Sequence, residues 1–132
     1  MKIITTKALG FVPASHEDPT HPGAVKKVLF TKNDFNQKGR IQMINWGRLP
    51  KGKSFRAHYH EDMDEVFVMI SGVVKLYINY EEAIIKGGDA IIVPLKSIHK
   101  MVNVGKGYAE YLVIGVSLGT GGKTIVSQIE SD

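Results

Sequence analysis

From residue 25 onward the chain is a succession of short apolar runs, broken by turn-forming residues about every ten positions. Runs of that length suit strands, and their even spacing is the pattern of a sandwich or barrel. Candidate strands cover residues 25–30, 40–48, 54–60, 65–70, 73–80, 90–93, 98–104, 108–117 and 124–129. Composition points the same way: Ile and Val total 27 residues, Leu and Ala only 14. β-Branched side chains fit a pleated sheet, whereas Leu and Ala lose little entropy in a helix and dominate helical domains. The fold is expected to be all-β. Ser71-Gly72 reads as a two-residue hairpin turn, because glycine accepts positive φ without strain, and Gly87-Gly88-Asp89 as a second sharp turn. The helical signal is confined to residues 31–34, where Thr31 could cap one turn before residues 36–39 break it.

A chain of 132 residues suits one domain with a true core, and 43% apolar with 23% charged residues fits a globule. Three of the five prolines (Pro13, Pro19, Pro22) fall in residues 1–24. That stretch reads as an N-terminal arm over the body or a partly ordered leader, with the barrel domain in residues 25–132. No apolar run approaches the roughly 20 residues of a membrane-spanning helix, and no signal-length stretch opens the chain. The absence of cysteine excludes disulfides, thiolate metal sites and Cys nucleophiles, and fits a cytoplasmic location. Net charge is +4, but the lysines are scattered, so nucleic acid is not an expected partner. A mild bias toward anionic ligands remains.

Two motifs are set aside. Residues 119–124 read GTGGKT, but a phosphate-binding loop needs glycine where Ser117 stands, and a helix for which the remaining chain is too short. The acidic run Glu61, Asp62, Asp64, Glu65 is no calcium loop, since Phe67 occupies the position that requires glycine.

Glu65 nevertheless belongs to a constellation with chemistry. His58 and His60 are one residue apart in a strand-like run, so both imidazoles face one side. A turn at residues 61–64 returns the chain, and Glu65 opens the next strand; antiparallel pairing would bring its carboxylate to the same point. His99 follows on a strand introduced by Pro94. A lone His-x-His pair is common and needs a third ligand. Three imidazoles and one carboxylate form a good donor set for a borderline divalent ion.

The surrounding spacing carries a resemblance. Gly52, His58, His60, Glu65 and Gly72 are separated by five, one, four and six residues. Gly88, Pro94, Lys96, His99 and Asn103 are separated by five, one, two and three. Together they resemble the two motifs of the cupin superfamily, with nine of ten fixed positions matched and glycine replaced at Lys96. The resemblance covers residues 40–111 and implies a small jelly-roll, or double-stranded β-helix, barrel. It further implies one divalent ion (Mn, Fe, Ni or Zn) on His58, His60, Glu65 and His99, and a homodimer. Either the arm or the strand at residues 124–129 is expected to cover an open edge of the partner.

Strand parity extends the site. Arg56 precedes His58 by two residues and is expected on the metal side, where it could fork onto a substrate anion or end in a rim salt bridge. Phe67 and Met69 are expected to fill the barrel, and Asn103 to secure a turn on the face shared by His99 and Met101. Trp46, Gln42 and Tyr77 are wall candidates of unknown direction. His16 and His21 are expected to be solvated. The resemblance leaves two functions open: a metal-dependent enzyme of dioxygenase, decarboxylase or isomerase type, or a non-catalytic small-molecule-binding or sensor module.

Overall fold

The structure is a computed structural model in which residues 6–34, 40–117 and 123–127 are described. Its strands are β1 (Val12–Pro13), β2 (Val25–Thr31), β3 (Ile41–Leu49), β4 (His58–His60), β5 (Met63–Ser71) and β6 (Val73–Ile78). They continue as β7 (Glu81–Lys86), β8 (Ala90–Val93), β9 (His99–Asn103), β10 (Ala109–Ser117) and β11 (Thr124–Val126). One sheet has the order β1-β2-β3-β10-β5-β8 and the other β11-β4-β9-β6-β7. The two sheets face each other as an antiparallel jelly roll. Among the described residues there is no α-helix, only single 3-10 turns at Thr6–Ala8 and Lys32–Asp34, and none long and apolar enough to cross a membrane.

Alternation along the strands builds the interior. Met63, Glu65, Phe67 and Met69 of β5 are buried, as are Ala109, Tyr111 and Val113 of β10, while Met101 and Leu76 come from the other sheet. Each large apolar side chain withdrawn from water in this way contributes about 1.5–3 kcal/mol. Asn103 secures a turn as expected, donating to the Leu49 and Gly107 carbonyls and accepting from the Gly105 amide.

Several local expectations are corrected. Ser71-Gly72 is a corner, because β5 and β6 lie in different sheets; Gly72, at φ +88°, passes the chain from one to the other. Strand β7 was not foreseen from the sequence: it is an edge strand exposed on both faces, with Ile84 59% exposed, so burial imposes no alternation. The strand expected at residues 54–60 is regular only over β4. At residues 31–34 the chain makes the expected single turn, and the Asp34 carboxylate accepts the Thr31 amide at its start. The arm and the terminal strand pair within the chain as edge strands, β1 with β2 and β11 with β4. The break at residues 36–39 and most of the GTGGKT segment lie outside the described residues.

Candidate metal centre

Strand alternation puts His58 and His60 on the inner face of β4, and antiparallel register sets His58 directly opposite His99 of β9. Glu65 does not come from a neighbouring strand, as the returning turn suggested. It faces the three histidines from β5, in the opposite sheet. The four side chains are 0–6% exposed, and one donor atom from each lies within 4.8 Å of the others.

Hydrogen bonds behind the rings fix their orientation. His58 Nδ1 donates to the Arg56 carbonyl at 2.7 Å and His99 Nδ1 to the Ser97 carbonyl at 2.9 Å. A carbonyl only accepts, so each Nδ1 carries a proton and each Nε2 faces inward. His60 Nδ1 pairs with the Thr124 hydroxyl at 2.9 Å, which extends the arrangement to the third ring. Glu65 Oε1 lies 2.7 Å from His60 Nε2 and 3.1 Å from His99 Nε2. His60 Nε2 is buried and, despite that proximity, outside hydrogen-bond geometry. A buried nitrogen without a partner, at the point where two further imidazoles and a carboxylate meet, is a donor set that fits a divalent ion.

The electrostatics match. Burial drives the His58 pKa down to about 2, aided by its histidine neighbours. Burial alone would raise the Glu65 carboxyl, but contacts with His60 and His99 outweigh it and hold the group below the usual carboxylate range.

A family model described as Cupin domain matches residues 45–115. The chain belongs to the cupin family. An uncharacterized protein of Methanocaldococcus jannaschii is 29% identical to this cupin over 105 residues, covering 80% of this chain and 79% of its own. A predicted oxalate decarboxylase from Thermotoga maritima superposes with a TM-score of 0.78 at 20% identity, covering 89% of this chain and 100% of the other. A sugar phosphate isomerase from a cupin superfamily of Silicibacter pomeroyi gives 0.74 at 20% identity, over 97% of this chain and 83% of the other. The polyketide cyclase RemF from Streptomyces resistomycificus gives 0.75 at 17% identity, over 100% and 89%. At these identities the structural likeness establishes the fold and leaves activity open.

In this cupin His58, His60 and Glu65 line a cavity of about 470 Å³, and His99 lies behind them. Arg56 is not in that wall. Residues 55–57 are not strand, so parity is lost: Phe55 and Ala57 turn inward and Arg56 is exposed. Its backbone serves the site instead, through the carbonyl that holds His58. His16 is corrected in the other direction. Its side chain is 16% exposed and stacks on the His58 ring, while His21 is exposed.

The arm reaches the site through Glu17, which is 8% exposed. Its Oε1 accepts the Gly23 and Ala24 amides, and its Oε2 accepts the Arg56 amide and contacts His16 Nδ1 at 3.1 Å. Of the wall candidates, Gln42 lines the cavity and donates to Ser117. Trp46 lies on the outer face of β3 and donates to Glu110, and Tyr77 lies outside the cavity wall. The sequence reading passed over Lys26, Asn45 and Tyr111, all of which line the cavity. Their inward direction follows from strand register, which no local pattern supplies.

Lys96, the departure from the family's second motif, adopts φ +64°. That left-handed conformation is one glycine takes freely, and Lys96 holds it while its amide donates to the His60 carbonyl at 2.6 Å.

Proposed function

We propose that this cupin holds one divalent ion (Mn, Fe, Ni or Zn) through His58, His60, Glu65 and His99. On this reading it is a metal-dependent enzyme of dioxygenase, decarboxylase or isomerase type, acting on a small polar or anionic molecule. The observation that carries the reading is the convergence of four buried donors, three of which (His58, His60 and Glu65) line a cavity large enough for such a molecule. A bound ion supplies Lewis-acid polarisation of an oxygen on the substrate. The chain's own contributions are orientation and dryness: the Arg56 and Ser97 carbonyls hold two Nδ1 protons away from the site, and Phe55 and Phe67 exclude water from its inner side.

One observation favours a second reading, a non-catalytic small-molecule-binding or sensor module. Among the described residues Glu65 is the one carboxylate in the cavity wall, and it is engaged by His60 and His99, so no separate carboxylate stands ready to move a proton. The test is elemental analysis of protein purified without a metal-affinity tag. A turnover screen of Mn, Fe, Ni and Zn forms against carboxylates, enols and diketones then follows. One ion per chain with turnover is expected; one ion without turnover favours the binding module, and no ion overturns the proposal. A homodimer and a cytoplasmic location belong to the same proposal. The exposed Ile84 and Ile92, near the sheet edges β7 and β8, support self-association, which light scattering tests.

A further inference from the structure

Among the polar groups of the cavity wall away from the four donors, Asn45 and Lys26 are set apart by what they lack. Asn45 is 6% exposed, and its Oδ1 is buried without a hydrogen-bond partner. Buried carbonyls are almost always paired, so an unpaired one in a cavity wall points to a partner arriving from the cavity. Lys26 is half-buried; its ammonium donates to Ser15 Oγ at 2.6 Å and makes no ion pair among the described residues. Burial draws its pKa below the ordinary lysine value, with no carboxylate to offset that effect.

Register relates the two. Lys26 is opposite Gly47 and Val28 opposite Asn45, so Lys26 and Asn45 are diagonal neighbours on the inner face of β2 and β3. Gly47, beside Lys26, has no side chain to block the cavity, and a Cβ there would run into the Tyr111 ring. Glu65 is opposite Gly115, which is opposite Met43, one row before Asn45 and two strands away from it. At ordinary sheet spacings Asn45 is about 12 Å from Glu65 between Cα atoms, and Lys26 about 8 Å farther. A two-carbon diacid at the four donors reaches neither.

We propose that Asn45 and Lys26 select an elongated ligand, a hydroxylated carbon chain ending in an anionic group, with the anion at Lys26 and a chain hydroxyl at Asn45. The far end of the chain then rests at the four-donor centre, so the inference builds on the reading of the cavity as a ligand site beside that centre. A hydroxyl both donates and accepts, so it pairs with either end of the Asn45 carboxamide, whichever way the amide is turned. Carboxylate and phosphate share the chemistry that Lys26 recognises.

The experiment is calorimetric titration of the full chain, metal-loaded and chelated, with five probes. Gluconate and sorbitol 6-phosphate carry both features, sorbitol lacks the anion, hexanoate lacks the hydroxyls, and oxalate is short. Gluconate or sorbitol 6-phosphate is expected to bind at least tenfold more tightly than the other three, and the tighter of the two identifies the anion. Lys26→Met should erase the advantage over sorbitol and Lys26→Arg restore part of it; Asn45→Leu should erase the advantage over hexanoate. Should Asn45→Leu melt well below wild type, Asn45→Asp replaces it, with anion binding at least tenfold weaker and sorbitol within twofold. Elemental analysis of the metal-incubated samples separates the two readings: discrimination through Lys26 and Asn45 in protein that takes up no ion overturns the metal centre and leaves this inference standing. Folded variants that bind every probe like wild type, a preference for oxalate, or no binding of any probe at millimolar concentration would each overturn it.

Discussion

The imidazole of His16 lies nearly parallel to that of His58, with ring centroids 4.0 Å apart and 23° between the planes. The two rings share one anchor. Glu17 Oε2 takes both His16 Nδ1 and the Arg56 amide, and the Arg56 carbonyl takes the Nδ1 proton of His58. The arm thereby closes one side of the candidate metal centre and limits how far the His58 ring can turn.

This arrangement separates ligands from their support. His58→Ala or His99→Ala should lose most of the bound ion, because each removes a donor atom. His16→Ala should keep one ion per chain but hold it up to about tenfold more weakly, the scale of one lost ring contact. His16→Phe should recover the wild-type affinity. Competition with a chromophoric chelator measures all four; equal metal content in His58→Ala and wild type would show that the cluster is not a metal site.

Glu17 is the expected weak point of the arm. Glu17→Ala leaves the amides of Gly23, Ala24 and Arg56 without their acceptor, a loss of about 3 kcal/mol for three bonds, one buried and two part-buried. Urea unfolding should show that shift, and limited proteolysis should now cut within residues 6–24. An unchanged urea midpoint would mean that water replaces the carboxylate without cost.

Acid should unfold the metal-free protein in stages. His58 ionises near pH 6.5 when unfolded but only at about 2 in the fold, so between these values the unfolded chain binds a proton that the native chain does not. Stability is then fully present above pH 6.5 and falls below it by about 1.4 kcal/mol per pH unit. Glu65 and Glu17 are also held below their ordinary value of 4.5, so the slope should steepen as pH drops through that value. Urea midpoints of chelated protein from pH 8 to 4 check this; a flat profile between pH 7 and 5 would show His58 protonated in the fold.

Lys96→Gly should stabilise the protein by about 1 kcal/mol. The left-handed backbone at φ +64° strains a side-chain-bearing residue and leaves glycine unstrained, a gain partly offset by the greater freedom of glycine when unfolded. The amide bond to the His60 carbonyl is kept in the variant, so metal content should not change. A loss of stability would show that the lysine side chain contributes packing that exceeds the strain.

The strands whose faces alternate in burial, and the clustering of His58, His60, Glu65 and His99, could be read from the sequence alone. These were legible because alternation of side chains and motif spacing are local properties of the chain. Edge strand β7 escaped because exposure on both faces erases the alternation that marks a strand. Tertiary structure alone decided that Glu65 meets the histidines from the opposite sheet, that Arg56 points to solvent and that His16 does not. It also decided that Asn45 and Lys26 face the same cavity. Parity predicts direction only while a strand stays regular, and it fails at residues 55–57, where the backbone leaves the ladder. Which strands face each other, and where the arm lies down, depends on pairings between distant segments, whose register is set by burial of the whole core rather than by any residue's neighbours in sequence.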